Sequence, residues 1–385
     1  MILSGGKIYT ETGVVNNGSL TLRDGKIVAI DSATKAASKN FPAEYHIVPG
    51  FIDLHVHGAR GHDVMDGSSQ ALTTISETLA AEGTTAFLAT TMTADVAAIE
   101  NALTTVRDFM QAAEKSGAAI LGAHLEGPFI AASKMGAQRG DKILLPDIEL
   151  VKKWQELSGN HIRLVTLAPE FQNSIALIKY LRQQNIVASI GHTNATYAET
   201  MEAIAAGCTH ATHLFNAMRG IHQREPGTVT AALLADTVTA ELILDGVHLH
   251  PAIARLAYQV KGVDKIVLVT DAMRAKCLAD GCYDLGGQEV DVAAGEARLA
   301  DGTLAGSVLT MPSALQNVLK FTGCELADAL KMVAGNPAKV LGVYDRKGSL
   351  AVGKDADVVV LDDELNVVMT CRGGEVVFER VGIVV

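Results

Sequence analysis

The sequence predicts an α/β chain: a (β/α)8 TIM-type barrel with a small β-sandwich domain formed by both chain termini. Three observations predict it. Across 49–346, short apolar runs that read as buried parallel strands alternate with amphipathic stretches, the pattern of βα units. At both ends the pattern changes to short strands parted by Gly-containing turns, and such strands need a common partner sheet. The apolar runs of the middle end in succession on His, Glu or Asp, where a barrel places its functional side chains. The expected boundaries are 1–48 with 347–385 for one discontinuous β-domain and 49–346 for the barrel.

Composition agrees with that architecture and removes several function classes. At 385 residues the chain exceeds the usual single-domain size, so two domains or a large barrel with an attachment are expected. Apolar residues make up 48% and charged residues 19%, which favours a large core over disorder. A formal net charge of −11 disfavours non-specific nucleic-acid binding, although one local arginine can still hold an anionic small molecule. Cys208, Cys277, Cys282, Cys324 and Cys371 form no CxxC pair, so reduced thiols in a cytoplasmic protein are expected and a cysteine zinc site is not. The first residues show no basic segment followed by a long apolar one, so no signal peptide is expected. No apolar run reaches the ~18 residues of a membrane span.

In chain order, strands are expected at 6–10, 19–23 and 26–30, the last two joined by an Asp24-Gly25 hairpin turn. Pro49-Gly50 then opens the first barrel strand, which runs through Asp53, His55 and His57 and is ended by Gly58. Strand side chains repeat every two residues, so Asp53, His55 and His57 share a side. Two imidazoles converging at a strand's end make a metal half-site; the alternative is a hydrogen-bonded polar pair on a half-exposed strand. Further strands are expected at 85–90, 120–125, 163–167, 186–190, 208–212, 240–244 and 265–269, with helical stretches at 94–116 and 195–206. Their ends present Glu126, His192, His213, His248 and Asp271. Singly, each could be a packed histidine or a helix-capping carboxylate. Six strand ends in succession bearing such residues are hard to reconcile with packing alone. Short strands return at 358–361, 367–371 and 375–378.

The motifs carry a resemblance. With PGFIDLHVHG at 49–58, HLEGPF at 124–129, GHTNAT at 191–196, THLFNAM at 212–218, REPG at 224–227, DGVHLHP at 245–251, TDAM at 270–273 and GKDAD at 353–357, the chain resembles the amidohydrolase superfamily. Within it, the order and identity of the motifs are similar to the N-acetylglucosamine-6-phosphate deacetylase family, over almost the whole length. That resemblance implies metal-dependent hydrolysis of the acetamide of N-acetyl-D-glucosamine 6-phosphate, serving amino-sugar catabolism or cell-wall recycling.

It also implies roles for named residues. Glu126, His192 and His213 hold one divalent metal, and His55 and His57 hold a second bridged by Glu126. The family divides over the second position, and this sequence retains both histidines, so one or two metals per chain are expected, zinc or iron. Asp271 is the general base and acid, and His248 hydrogen-bonds the carbonyl oxygen or a hydroxyl. Arg224 meets the phosphate, in this family across a subunit interface, so a homodimer is expected; the alternative is a surface Arg224–Glu225 region. Asn216, Ala217, Ala137, Gln138, Leu304, Ala305 and Gly306 fall where the family contacts substrate, and His250 receives no role. The competing readings are another amidohydrolase, acting on cyclic amides or nucleobases, and a non-catalytic barrel used for binding. The first leaves Arg224 without purpose, and the second leaves an intact ligand set unexplained.

Overall fold

The computed structural model describes residues 1–33, 38–112 and 116–380. Eight parallel strands form the central sheet: β1 (Phe51–Val56), β2 (Thr84–Thr91), β3 (Ala119–Glu126), β4 (Ile162–Leu167), β5 (Val187–Ile190), β6 (His210–Ala211), β7 (Thr239–Leu242) and β8 (Ile266–Leu268). They follow one another in chain order around the sheet, each linked to the next by a crossover that packs helix on the outside, as right-handed βα units must. Val56 bridges in parallel to Ala272, the His57 N–H donates to the Ala272 carbonyl at 2.9 Å, and the Asp271 N–H donates to the His55 carbonyl at 2.8 Å. The sheet therefore closes into the expected (β/α)8 barrel, and its seam runs through three residues singled out by the sequence. β1 and β2 are buried at every position, which is why they lack the polar–apolar alternation of a half-exposed strand. The helical stretch read at 94–116 is observed as Val96–Gln111, with 113–115 outside the described residues. The stretch at 195–206 is observed as Tyr197–Ala206, opened by a reciprocal Thr196–Glu199 cap.

Both termini build one eight-stranded sheet. Its pivot is Lys39–Pro49, which pairs in parallel with Ile2–Thr10 and antiparallel with Val358–Leu361. Leu3, Ile8, Leu20, Val358, Val360 and Val368 share its core, so the two chain ends bury each other as the sequence implied. Asp24 and Gly25 both have positive φ, 49° and 74°, the conformation that lets a two-residue turn follow the twist of its flanking strands. Lys39–Pro49 runs directly into β1 through Gly50, where a Cβ would collide with the Thr85 side chain. Among the described residues no helix is long and apolar enough to cross a membrane.

Besides Lys39–Pro49, a whole small sheet has no counterpart in the sequence expectations. A three-stranded antiparallel sheet, Gly281–Leu285, Gln288–Ala293 and Glu296–Arg298, is inserted after β8. Its Leu285, Val290, Val292 and Ala297 pack with Met92, Ala137, Met273 and Ala305, which places it as a wall beside the C-terminal mouth of the barrel.

Candidate active site

The C-terminal strand ends converge on a single buried cluster. His55 lies in β1 and His57 just beyond it, Glu126 ends β3, and His192, His213 and Asp271 follow β5, β6 and β8. His192, His213 and Asp271 all adopt left-handed backbone, with φ of 47°, 29° and 47°. A non-glycine residue there costs about 1–3 kcal/mol, and the surroundings must hold it. For Asp271 the holding contact is the seam bond to His55, and for His213 it is an N–H donated to the Glu241 carboxylate at 3.0 Å.

Glu126 is the hub. Its Oε1 lies 3.1 Å from His192 Nε2, 3.1 Å from His213 Nε2 and 3.4 Å from His55 Nε2, while its Oε2 lies 3.2 Å from His57 Nε2. Asp271 Oδ1 lies 3.3 Å from His55 Nε2 and 3.2 Å from His57 Nε2. The Nε2 atoms of His192 and His213 are 3.1 Å apart. Donor atoms around a tetrahedral cation with ~2.1 Å bonds stand about 3.4 Å from one another, so these spacings suit metal ligands. Tautomer chemistry agrees. His192 donates from Nδ1 to the Lys134 carbonyl at 2.9 Å, and His55 from Nδ1 to Glu241 at 3.1 Å, which leaves a bare Nε2 lone pair on each neutral ring aimed at the carboxylates. His55 Nε2 is buried with no hydrogen-bond partner among the described residues. Three groupings among the described residues are close enough to hold a metal ion: Glu126–His192–His213 and His55–His57–Asp271, and a third, His55–His124–Glu241, whose His124 and Glu241 are already taken up by hydrogen bonds within the protein.

The electrostatics ask for positive charge. Burial opposes a proton on His55, yet Asp271 and Glu126 outweigh it and lift the ring well above the ordinary imidazole range. His57 is likewise raised, to about 9, against burial and by its bonds to Asp271 and Glu126. Burial pushes the Glu126 and Asp271 carboxyls up, but their imidazole neighbours, His55 foremost, bring both below the usual carboxylate range. A divalent cation supplies the charge that these carboxylates otherwise draw onto imidazoles.

Asp53, on the same side of β1 as the histidines, is not among the ligands. It accepts the Thr270 hydroxyl at 2.6 Å and the His55 N–H at 3.1 Å, and burial raises its carboxyl to about 6. His124 is also structural: Nδ1 bonds the Leu54 carbonyl, Nε2 bonds Thr166, and burial pushes the ring down to about 3. Glu241 was not anticipated. It sits inside β7 and binds the rings of His55 and His210, at 3.1 and 3.0 Å. The available signal was a glutamate in an otherwise apolar buried strand.

Above the cluster opens a cavity of about 400 Å³. Ala137, Gln138, Asn216, Ala217, His248, Leu304 and Gly306 line it. His248 is oriented by Asp245, whose Oδ2 accepts from Nδ1 at 2.6 Å. Gln138 is already engaged with protein: Oε1 accepts the Thr93 N–H and Nε2 donates to Glu126 Oε2, each at 2.7 Å, so it holds the hub ligand in place. Ala305, expected at the site, lies elsewhere, and Arg224, expected across a subunit interface, lies outside its own cavity. Ala305 points into the core behind the wall, its N–H bonded to the Ala297 carbonyl. Arg224 is exposed on the loop after His213 and does not line the cavity of its own chain. Two cations that do line it, Lys134 and Arg298, were not anticipated. Arg298 comes from the inserted sheet and is held by Glu296 at 2.7 Å. His250 caps the helix Pro251–Lys261 by accepting the Ala252 N–H. A larger cleft, about 600 Å³, opens among the starts of β5 and β6 at the opposite end and contains none of the candidate ligands.

Comparison with known proteins places this geometry. The amidohydrolase family model matches residues 46–377. An N-acetylglucosamine-6-phosphate deacetylase of Bacillus subtilis is 46% identical over 373 residues, covering 95% of this chain and 94% of the relative. An N-acetylgalactosamine-6-phosphate deacetylase of Escherichia coli O157:H7 is 38% identical, covering 95% of this chain and 96% of the relative. Among solved structures, a variant of the Mycobacterium smegmatis N-acetyl-D-glucosamine-6-phosphate deacetylase in complex with N-acetyl-D-glucosamine 6-phosphate superposes with a TM-score of 0.93 at 35% identity, covering 98% of this chain and 99% of that one.

Proposed function

The chain belongs to the amidohydrolase family, and from that premise and the chemistry of the barrel mouth we propose that it hydrolyses the acetamide of N-acetyl-D-glucosamine 6-phosphate to D-glucosamine 6-phosphate and acetate. The observation that carries the proposal is the convergence of four imidazoles and Asp271 on Glu126 at the floor of a cavity of about 400 Å³. Glu126, His192 and His213 would hold one divalent cation, and His55 and His57, which meet both Glu126 and Asp271, would hold a second; imidazole and carboxylate suit zinc or iron. When bound, such a cation polarises the acetyl oxygen and lowers the pKa of water towards ~7.

The protein's own groups do the rest. Asp271, beside the ligand cluster and on the cavity wall, takes the proton of the attacking water and passes it to the departing nitrogen. His248 is held at Nδ1 by the Asp245 carboxylate; Nε2 of the neutral ring accepts a substrate hydroxyl, and the doubly protonated ring donates from Nε2 to the acetyl oxygen as negative charge develops there. Asn216 and Ala217 position the sugar phosphate from the loop after His213. Arg224 serves the phosphate of a partner subunit's site in a homodimer. Its exposure, its absence from its own cavity and the exposed Ile221 nearby support that arrangement. The five unpaired cysteines support a reducing, cytoplasmic setting.

The test is acetate release from N-acetylglucosamine 6-phosphate beside plain N-acetylglucosamine and the 4-epimeric N-acetylgalactosamine 6-phosphate, with metal content measured on the same sample. Strong turnover of the glucosamine phosphate with one or two metals per chain is expected. Arg224→Ala should raise KM for that substrate about 10-fold to 100-fold, the worth of charge-assisted phosphate bonds, with little change in kcat. Equal turnover of phosphorylated and plain sugar would refute the phosphate role.

A further inference from the structure

We infer that Glu241 is a positioning residue behind both metal positions, setting the tautomer of a ligand of one and the backbone of a ligand of the other. This rests on the two-position metal reading above. Glu241 is fully buried in β7, and an ionised carboxylate there is expensive unless several donors meet it. Three do. Its Oε2 accepts the His55 Nδ1–H at 3.1 Å and the His213 backbone N–H at 3.0 Å, and its Oε1 pairs with His210 Nε2 at 3.0 Å.

The two Oε2 contacts reach different metal positions. At His55 the effect is chemical. A carboxylate fixed on Nδ1 keeps the proton there, so Nε2 is bare toward Glu126 and Asp271; the opposite tautomer would present an N–H and could not ligate. His57, whose Nδ1 has no partner among the described residues, lacks such a device, so the second position depends chiefly on His55. At His213 the effect is conformational. Nδ1 of that ring is also without a partner, and what Glu241 holds is the N–H of a residue at φ 29°.

Glu241→Gln separates the two effects. Two donors face the Oε2 position, so the amide oxygen must sit there and keep both contacts. The amide NH2 then faces His210 Nε2, which can accept because Nδ1 of that ring has no partner and can take the proton. The variant therefore keeps the His213 anchor and loses only the negative charge behind His55.

Metal-free wild type and E241Q would be titrated with zinc against a chromophoric chelator. The wild type should take up two equivalents. In E241Q the weaker equivalent should lose about 10-fold to 100-fold in affinity, the usual cost of altering an outer partner, while the tighter one stays within a few-fold and serves as the folding control. Unchanged affinity of the second equivalent overturns the assignment to Glu241. Uptake of only one equivalent by the wild type overturns the two-position reading itself. A check that needs no variant is histidine-selective 15N NMR of the zinc-loaded protein. An exchange-protected Nδ1 proton on His55 is expected, and its absence would also overturn the proposal.

Discussion

The barrel mouth and the terminal sheet both bury charged side chains, but they finish the task differently. In the terminal domain the charges are matched. Lys347 pairs with Asp357 at 2.5 Å and Asp355 at 3.1 Å, and Lys354 donates to the Tyr344 carbonyl at 2.5 Å and pairs with Glu11 at 2.8 Å. Left-handed non-glycine residues there are Asn17, Asp24 and Leu365, all in turns. At the mouth, four imidazoles share two carboxylates, His55 Nε2, His57 Nδ1 and His213 Nδ1 lack hydrogen-bond partners among the described residues, and left-handed backbone is found at the ligands His192 and His213 and at Asp271. A folded chain leaves polar atoms unsatisfied and backbone strained only where something else repays it. The contrast separates a region built to be closed from one built to receive a cation and a substrate.

The contrast can be broken from either side. At the mouth, Asp271→Asn removes a proton carrier and keeps the shape, and asparagine tolerates left-handed backbone well. Turnover should fall by about 10²-fold to 10⁴-fold, the usual contribution of a general acid–base group. Metal content should persist, and the melting temperature of the metal-free protein should not fall. A near-normal rate, read by acetate release, would dismiss Asp271 as the base. In the terminal sheet, Lys347→Met should do the reverse. It strands Asp357 with only the Gly373 N–H, and breaking a buried pair from one side costs about 3–5 kcal/mol. Chemical denaturation should show that loss with kcat unchanged, and adding Asp357→Asn should restore part of it. A stability loss from Asp271→Asn as large as that from Lys347→Met would erase the distinction.

What the sequence made legible follows the same division. The barrel was readable because β1 to β4 are buried at most positions and carry apolar residues without a strict alternation, and the ligands because they lie at or just beyond the ends of barrel strands. Lys39–Pro49 escaped because its middle, Pro42, Ala43 and Glu44, is exposed and breaks the alternation. The inserted sheet does alternate, and its Gly286-Gly287 turn is a hairpin signal, but it falls inside a barrel loop where no further strand was sought. Glu241 was hidden because attention to strand ends passes over a residue within a strand. The left-handed backbone at His192, His213 and Asp271 has no sequence signature, since nothing but the surrounding hydrogen bonds imposes it. Arg224 was legible as a cation and, through the resemblance, as one that acts across a subunit interface; its place on an exposed loop outside its own cavity depends on the path of that loop.

The smallest expected effect tests whether the terminal charges act as matched pairs at all. Glu11, in the first hairpin, accepts Ser349 Oγ at 2.6 Å and pairs with Lys354 Nζ at 2.8 Å, tying the N-terminal strands to the loop before Val358–Leu361. Lys354, then Ser349, holds its carboxyl below the ordinary glutamate range. A folded-state pKa below the unfolded value of roughly 4.3 means that the folded state binds this proton less readily. The contribution is therefore fully present above the unfolded pKa and lost as pH falls through the folded one. The pair is partly exposed, so its worth is about 0.2–1 kcal/mol. Glu11→Gln should lower the stability of the metal-free protein by that amount at pH 7, and the gap from wild type should close as the pH falls below ~4. A gap that persists unchanged in acid would mean that Glu11 contributes shape rather than charge, and the closed region would then owe less to its ion pairs than to the apolar core that Leu3, Ile8, Val358 and Val360 form beneath them.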